Sequence, residues 1–231
     1  MKKIYAFIAV CAMTISASAQ IVSSRSRSIV VESEEKVEKI ENYANYKRLF
    51  VSYSPMSFSG DVGKHMDTAT GFALGWQKGW SVSKTMPVYI ESGFNFKYNR
   101  FNDSATNYYG DKEEETDNYL SLNIPLNLAY KYSIPGVEGL SLVPYIGFHL
   151  TSNIIGTATY EAYGQKYDIN FFEEEDMGDG NAANRFQFGW QIGVGLNYKA
   201  LYVGIGYSAE FTEYIEDVNT GGITLTLGLN L

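Results

Sequence analysis

The chain is poor in cysteine and histidine, with one cysteine and two histidines in 231 residues. The cysteine, Cys11, lies within the first twenty residues, MKKIYAFIAVCAMTISASAQ, so the remainder cannot form a disulfide bond. No Cys/His metal cluster, P-loop or dinucleotide-binding fingerprint occurs. No run of about 18 apolar residues follows the first twenty, which excludes a transmembrane helix in that part. The sequence thus excludes disulfide scaffolds, zinc modules and helical membrane proteins.

The first 19 residues have the three parts of an export signal. Lys2 and Lys3 form a basic start, an apolar core follows, and Ala17-Ser18-Ala19 has the small-x-small pattern of a cleavage site. The apolar core is too short for a membrane anchor. Loss of Lys2 and Lys3 would change the net charge from −8 to −10. Such an acidic chain repels phosphate, so we expect no nucleic-acid partner.

Residues 20–46 differ from the rest of the chain and predict a periplasmic linker. Residues 23–28 read SSRSRS, a polar stretch. In residues 33–46, SEEKVEKIENYANY, Val37, Ile40 and Ala44 share one helical face. Two interpretations remain open, a short helix or a solvated tail, because isolated short helices are marginal in water.

Residues 47–231 repeat one pattern, shown best by residues 118–132, NYLSLNIPLNLAYKY. Large apolar side chains alternate with small or polar ones, as in a β-strand with two unlike faces. Pro125 interrupts this segment and predicts a lost ladder hydrogen bond with a bulge or local kink. The same period recurs in residues 48–55, 71–77, 88–98, 118–132, 140–154, 186–198, 201–211 and 223–231. The sequence predicts eight strands.

Short and long connections alternate between these strands. The short ones lie around residues 81–86, 133–138 and 199–200. The long ones hold most of the charge, including DKEEETD (111–117) and EEEDMGDG (173–180), and span residues 57–69, 102–117, 157–183 and 212–221. This alternation predicts an up-and-down order with both termini on one side and the long loops on the other.

The apolar faces are too large for the interior of an eight-stranded cylinder, which is just wide enough for its own inward side chains. We therefore expect these faces to point outward into lipid and the small and polar faces to point inward. The predicted fold is all-β, an eight-stranded antiparallel up-and-down transmembrane β-barrel with a short helical N-terminal segment. A soluble sandwich or lipocalin-like barrel is the alternative. The expected location is the outer membrane of a Gram-negative cell, with its lipids as partners.

The stretch YLSLNIPLNLAYKY, followed by LVPYIGFHL and a terminal GLNL, resembles an outer-membrane β-barrel family of Bacteroidetes. That family includes PorT-like proteins and is similar to the small barrels of the OmpA type. The resemblance covers about residues 47–231. It departs from many such barrels at Leu231, where an aromatic residue is common. The resemblance implies an outer-membrane location and leaves a secretion or assembly complex as one candidate role.

Five charged residues alternate onto the predicted lumen side: Arg48, Glu91, Lys97, Lys131 and Glu210. Unpaired charges in so narrow a space would cost several kcal/mol each, so we predict a structural ion network that braces the barrel. Inward glycines leave space on two strands, and we expect inward tyrosines to fill it. The lumen is therefore predicted to be closed. The glycines are Gly189, Gly193, Gly195, Gly204 and Gly206, and the tyrosines are Tyr89, Tyr119, Tyr145 and Tyr202.

Catalysis would need a nucleophile beside a base, and only His65 and His149 supply an imidazole. His149 is predicted to face the lumen near Thr151, and a hydrogen-bonded wall histidine is the simpler interpretation. The acidic stretches at residues 113–115 and 173–176 offer carboxylates to Ca²⁺ or Mg²⁺, or are simply solvated.

We expect no enzyme and no cofactor, and a structural or interaction role with acidic outer loops. A protein partner would meet these loops or the periplasmic segment. The alternatives are a lipid-A-modifying barrel enzyme and a component of a PorT-like complex.

Overall fold

The computed structural model describes residues 44–106, 112–162, 165–178 and 181–231. The predicted signal peptide and almost all of the predicted linker, with its short helix, lie outside the described residues. The first strand begins at Tyr46, one residue before the predicted start of the barrel. No helix among the described residues has both the length and the apolar composition needed to cross a membrane.

Eight strands form a closed antiparallel ring, because each pairs with the next and the last pairs with the first. The predicted eight-stranded up-and-down barrel is confirmed. Three short strands, β2 (Ser57–Ser59), β6 (Tyr132–Ser133) and β8 (Gln165–Asn170), extend the sheet locally. The ring strands are β1 (Tyr46–Tyr53), β3 (Thr70–Ser81), β4 (Val88–Thr106), β5 (Lys112–Tyr130), β7 (Leu140–Ala162), β9 (Phe186–Tyr198), β10 (Leu201–Glu210) and β11 (Asn219–Asn230).

Among the described residues, two short helical segments lie outside the ring. One is a 3₁₀ turn at Gly63–His65, and the other is α1, at Glu174–Met177. The chain enters β1 and leaves β11 at the end of the ring that holds the turns 82–87, 134–139 and 199–200. We call this the terminus end and the opposite one the outer end.

Exposure alternates along the ring strands as the sequence predicts. Leu126 is 55 % exposed, whereas its neighbour Asn127 is 4 % exposed. Apolar side chains thus form a belt on the outside, and the inside is polar. A belt of this kind is stable only against lipid, so the barrel spans a membrane.

The belt has a clear outer edge. Tyr53, Phe72, Tyr98 and Leu120 are cross-strand neighbours on the lipid-facing side, and beyond this row the same face becomes polar. Arg100 there is exposed. Residues beyond this row lie outside the membrane.

Two predicted loops contain long extensions of the ring strands. β4 and β5 continue pairing to Thr106 and Lys112, so most of the acidic stretch 111–117 belongs to β5. β7 likewise continues to Ala162 and pairs with β8. Above the membrane both faces of a hairpin contact water, so the hydrophobic alternation ends while the backbone ladder continues. The predicted loops 102–117 and 157–183 were therefore too long.

Pro125 marks a gap in the β4–β5 ladder. Ser92 pairs with Leu126 and Asn95 with Asn123 in one register, but the pairs between them are missing. The Ser92 hydroxyl donates a hydrogen bond to the Pro125 carbonyl oxygen, 2.8 Å away. The ladder is thus interrupted here without a shift in register.

The bulge lies on β7, away from Pro125. The β5–β7 register shifts where Leu120 pairs with Ile155 and Ser121 with Asn153, which leaves Ile154 as the extra residue. Ile154 and Ile155 are both exposed, at 44 % and 43 %. The predicted interruption of the ladder at Pro125 is confirmed, whereas the predicted alternative of a bulge is wrong at that position. The bulge at Ile154 reverses which β7 residues face inward above the membrane.

Candidate functional site

The interior of the barrel holds the buried charged and polar side chains and is the candidate site. It encloses about 140 Å³ of space for solvent, lined by residues from all eight ring strands. Its charged residues fall into a group near the terminus end and a group in the outer half. Four of the five predicted network residues line this space: Arg48, Glu91, Lys97 and Glu210.

Arg48 and Glu91 form the centre of the group near the terminus end. Arg48 Nη1 lies 3.8 Å from Glu91 Oε1, and both side chains are 2 % exposed. Gln77, on the strand between them, accepts a hydrogen bond from Arg48 Nη1 at 3.1 Å and donates one to Glu91 Oε2 at 3.2 Å. The Tyr46 hydroxyl also donates to Glu91. Three neighbouring strands thus share one polar cluster.

Aromatic and amide side chains complete the surroundings of Arg48. Its guanidinium carbon lies 3.4 Å from the centroid of the Tyr202 ring, a cation–π contact. Arg48 Nε donates to Asn230 Oδ1 at 3.0 Å, and Asn230 Nδ2 donates to Asn197 Oδ1 at 2.8 Å. Arg48 of β1 therefore contacts the neighbouring strand β11 and, through the Tyr202 ring, β10 beyond it. We call Tyr46, Arg48, Gln77, Glu91, Tyr202 and Asn230 the floor.

Glu210 lies in the outer half of the lumen beside His149. His149 Nε2 and Glu210 Oε1 are 2.9 Å apart, and the Thr151 hydroxyl donates to the same oxygen at 2.9 Å. Lys97 lies close enough to Glu210 for an electrostatic interaction. The predicted wall histidine is hydrogen-bonded, but its partner is a carboxylate two ring strands away. The two residues are 61 positions apart in the sequence, and no sequence pattern predicted that they would pair.

Lys131 lies apart from the other network residues. It follows β5 at the terminus end, is only partly buried, and its backbone N–H donates to the Pro87 carbonyl oxygen at 2.8 Å. Within the described parts of the chain, no carboxylate oxygen lies within 4 Å of its ammonium group. Lys131 is therefore not part of an ion pair with Glu91 or Glu210.

Tyrosines fill the space beside the inward glycines on β9 and β10. A methyl group on Gly195 or Gly204 would overlap the Tyr202 side chain, and one on Gly193 or Gly206 would overlap the Tyr145 hydroxyl. The predicted packing of tyrosine against glycine is confirmed at these four positions.

Other members of the predicted set pack differently. A methyl group on Gly189 would meet His149 and Glu210. Tyr89 packs edge-on against Tyr46, with ring centroids 5.2 Å apart, and Tyr119 belongs to a cluster at the outer end.

An aromatic cluster covers the outer mouth of the lumen, and we call it the cap. Tyr119 stacks on Phe171 with ring centroids 5.6 Å apart and meets Tyr214 at 6.2 Å. The loop before β11 supplies Tyr214, and the segment after β8 supplies Phe171. The cap consists of Met56, Ala69, Tyr119, Ala183 and Tyr214, with Phe58, Phe101, Phe171, Phe172 and Ile215 packed against them.

A buried carboxyl lies against the cap. Asp117 is 7 % exposed, and its Oδ2 accepts a hydrogen bond from the Tyr119 hydroxyl at 3.0 Å. Oδ1 receives no hydrogen bond from the described residues. Burial raises the pKa of the Asp117 carboxyl to about 6, because the carboxylate is desolvated. The negative charge of Glu115 acts in the same direction, whereas the Tyr119 hydrogen bond opposes it.

His65 and the two acidic stretches take no part in the lumen. His65 ends the exposed 3₁₀ turn, and residues 113–115 lie on β5 above the membrane. Glu173 precedes α1, in which Asp176 accepts a hydrogen bond from the backbone N–H of Asn170 at 2.8 Å. Among the described residues, no group of three or more His, Cys, Asp or Glu side chains has the arrangement of a metal site.

No protein-family model matches the chain, and no curated protein matches it. Solved structures with a similar fold include Ail, the attachment invasion locus protein of Yersinia pestis, in complex with the heparin analogue sucrose octasulfate. It is 14 % identical over 81 % of this chain and 99 % of Ail, with a TM-score of 0.44. Neisserial surface protein A is 14 % identical over 80 % and 96 % of the two chains (TM-score 0.39). The outer membrane enzyme PagL is 14 % identical over 79 % and 98 % (TM-score 0.40). Similarities this low carry no argument about function, and the fold assignment rests on the closed ring itself.

Proposed function

We propose that the protein is an outer-membrane β-barrel of a Gram-negative cell with a closed lumen and a structural or interaction role. The observation that carries this proposal is the filling of the lumen by the chain's own side chains. The floor occupies the half near the terminus end, and the cap covers the outer mouth. The solvent space between them suits about ten waters rather than a permeating solute.

The outer end supplies the surface for a partner, and its charge favours a cationic one. Sixteen carboxylates of the described residues lie beyond the belt, within residues 61–67, 103–117, 161–176 and 213–217. Five cations lie there: Lys64, Arg100, Lys112, Lys166 and Arg185. Charge complementarity steers oppositely charged partners to such a surface.

One face of the outer sheet formed by β4, β5, β7 and β8 is acidic without compensation. Asp103 lies directly opposite Glu115 in the β4–β5 ladder, a like-charge pair that destabilises the hairpin. Beyond the belt, no lysine or arginine in the described parts of these four strands alternates onto that face. The opposite face also has a like-charge pair, Glu114 and Glu161, but Lys112 forms an ion pair with Glu114 there. The first face is thus the better candidate for a basic partner.

The two like-charge pairs give a matched test. The double variant Asp103→Asn/Glu115→Gln removes the uncompensated pair, and Glu114→Gln/Glu161→Gln removes the compensated one. Cross-linking in native membranes, followed by purification and mass spectrometry, should recover a basic partner with wild type and the second variant but not with the first. Equal recovery with all three proteins would refute an interaction role for this face.

A lipid-A-modifying enzyme is the second candidate, because a carboxylate does lie within hydrogen-bond reach of His149. The pair is buried in the lumen, and the neighbouring Thr151 hydroxyl donates to Glu210 rather than to the imidazole. A nucleophile activated by His149 would need the opposite arrangement. Mass spectrometry of lipid A from cells with wild type or His149→Ala tests this candidate, and an acylation pattern that depends on His149 would establish it over the structural role.

A component of a PorT-like secretion or assembly complex is a third candidate, and it rests on the sequence resemblance to Bacteroidetes barrels. Purification in mild detergent separates it from a lone barrel. Comigration with a stoichiometric set of secretion proteins would support the complex, whereas a monodisperse single chain would count against it.

A further inference from the structure

The terminus end of the barrel is basic, in contrast to the outer end. Five lysines lie there, and one side-chain carboxylate, that of Glu138, accompanies them among the described residues. The lysines are Lys47, Lys78, Lys84, Lys131 and Lys199. Two of them, Lys47 and Lys78, alternate onto the lipid-facing side of β1 and β3.

Lys47 and Lys78 are direct cross-strand neighbours. They are paired in the antiparallel β1–β3 ladder, so their Cβ atoms are about 4.5–5.5 Å apart and both side chains leave the same face. Two like charges in this position repel each other unless an anion lies between them. The register therefore directs two ammonium groups to one anion-sized space.

Trp80 indicates the depth of this space in the membrane. Lys78 Nζ lies 5.1 Å from the centroid of the Trp80 ring, which is two residues closer to the end of β3. The Lys78 side chain thus extends from the apolar belt toward the membrane surface, as long basic side chains do when their stems lie in lipid. Tryptophan is typical of the level of the lipid headgroups.

The described residues do not supply the anion. In the described parts of the chain, no carboxylate lies within 4 Å of either ammonium group. This includes the terminal carboxylate of Leu231, although its backbone N–H donates to the Lys47 carbonyl oxygen at 2.8 Å. At headgroup depth on the outside of a membrane barrel, the abundant anion is the phosphate of a phospholipid.

We propose that Lys47 and Lys78 form a binding site for the phosphate of an anionic phospholipid in the leaflet at the terminus end. The two lysines neutralise the phosphate, and the Trp80 ring lies beside the site at the edge of the apolar belt. The site requires only that the barrel spans a membrane, so it stands independently of the proposed interaction role at the outer end.

Native mass spectrometry of the full chain in detergent, titrated with phosphatidylglycerol, tests the site. Each lysine near a membrane surface contributes about fivefold to the binding of an anionic lipid, so Lys47→Gln/Lys78→Gln should weaken retention by about thirtyfold. Lys47→Arg/Lys78→Arg should retain the lipid. Phosphatidylcholine, which has a phosphate but no net charge, should bind wild type more weakly than phosphatidylglycerol.

Lys84→Gln/Lys199→Gln is the matched control, because it removes the same charge from the same end. Its retention of phosphatidylglycerol should stay within about twofold of wild type. An equal loss in both double variants, or no loss in Lys47→Gln/Lys78→Gln, would overturn the site. Migration on gels before and after boiling verifies folding, and if the double variant does not fold, each single variant should show about a fivefold loss.

Discussion

Arg48 and Glu91 face each other across β3 inside the barrel, 3.8 Å apart and both almost inaccessible to solvent. Gln77 of β3 hydrogen-bonds to both, so one amide holds the guanidinium and the carboxylate in place. Three successive ring strands thus place these polar side chains at the same level along the barrel axis. A buried pair of this kind specifies the arrangement more than it adds net stability.

Removing one charge of this pair should destabilise the barrel strongly. Glu91→Gln leaves the Arg48 guanidinium buried without a counter-ion and should cost roughly 3–5 kcal/mol of the free energy of unfolding. Arg48→Met/Glu91→Gln removes both charges and should cost much less than the sum of the single changes. Urea unfolding in lipid vesicles measures the cost of Arg48→Met, of Glu91→Gln and of the double variant. Additive costs would show that the two side chains do not interact.

Charge on the belt should be costly at mid-membrane and tolerated above it. Ile124 lies on the lipid-facing side of β5, near the middle of the belt, so Ile124→Arg should cost roughly 2–4 kcal/mol. Thr116→Arg places the same charge on the same face of β5 beyond the outer edge of the belt, where it loses only the hydrogen bond to Asn102. Urea unfolding in lipid vesicles should show a much larger loss of unfolding free energy for Ile124→Arg than for Thr116→Arg. Equal losses would contradict the assignment of the lipid-facing side.

The space beside Gly195 should not tolerate a methyl group. Gly195→Ala would push into the Tyr202 ring, and overpacking of this kind costs typically 1–3 kcal/mol. In a Tyr202→Leu background the same change should cost much less, because the ring is gone. The two costs are compared by urea unfolding. A similar cost in both backgrounds would assign the effect to the backbone instead of the ring.

The cap should become less stable as pH rises through about 6. The pKa of Asp117 is about 6 in the folded protein and near 3.9 in an unfolded chain, so the folded state holds the proton more tightly. The stability contributed by the protonated carboxyl is therefore fully present below about pH 4 and is lost as pH rises through about 6. Hydrogen exchange of the amides around Phe171 and Tyr214 should quicken over this range beyond the intrinsic increase. Asp117→Asn should abolish the extra change, and its persistence in that variant would assign it to another group.

The filled lumen should conduct no steady ionic current. In planar bilayers the wild-type protein should show no reproducible open level, because the floor fills the half near the terminus end and the cap covers the outer mouth. Replacing the floor pair by Arg48→Ala/Glu91→Ala opens space in one half but leaves the cap, so it should still be closed. A large and reproducible conductance of the wild-type protein would refute the closed lumen.

The strands and their faces followed from the sequence because the belt obliges every second residue to be apolar. Leu120 to Leu128 show this on β5, and the structure places them outside. The same signal ended where the membrane ended. Glu113 to Asp117 belong to β5, yet their charges suggested a loop, since a strand with water on both faces has no hydrophobic period.

The candidate site was only partly predictable. Alternation placed Arg48, Glu91, Lys97 and Glu210 inside, but it could not say which would meet. Glu210 of β10 meets His149 and Thr151 of β7, two ring strands away. Lys131 meets no carboxylate of the described residues, because it lies beyond the last ladder pair of β5. The inward amides Gln77 and Asn230 are part of the sequence pattern and lie level with Arg48 along the barrel axis. Their level can be assigned only when the strand register is known, so the sequence alone did not identify the floor.

The sequence by itself determined that this chain forms strands with one apolar and one polar face, in a number and order that close into a membrane barrel. Period-two alternation and the lengths of the connections are local properties of the sequence. The membrane requires the alternation, because every second side chain of a spanning strand contacts lipid. The tertiary structure alone decided which side chains meet. Closing the ring through β1 and β11, with a bulge at Ile154, fixes the height of every residue, and a shift of one residue would exchange the two faces of a strand. Arg48 opposite Glu91 and Lys47 beside Lys78 are consequences of that register, which the hydrophobic pattern of no single strand contains.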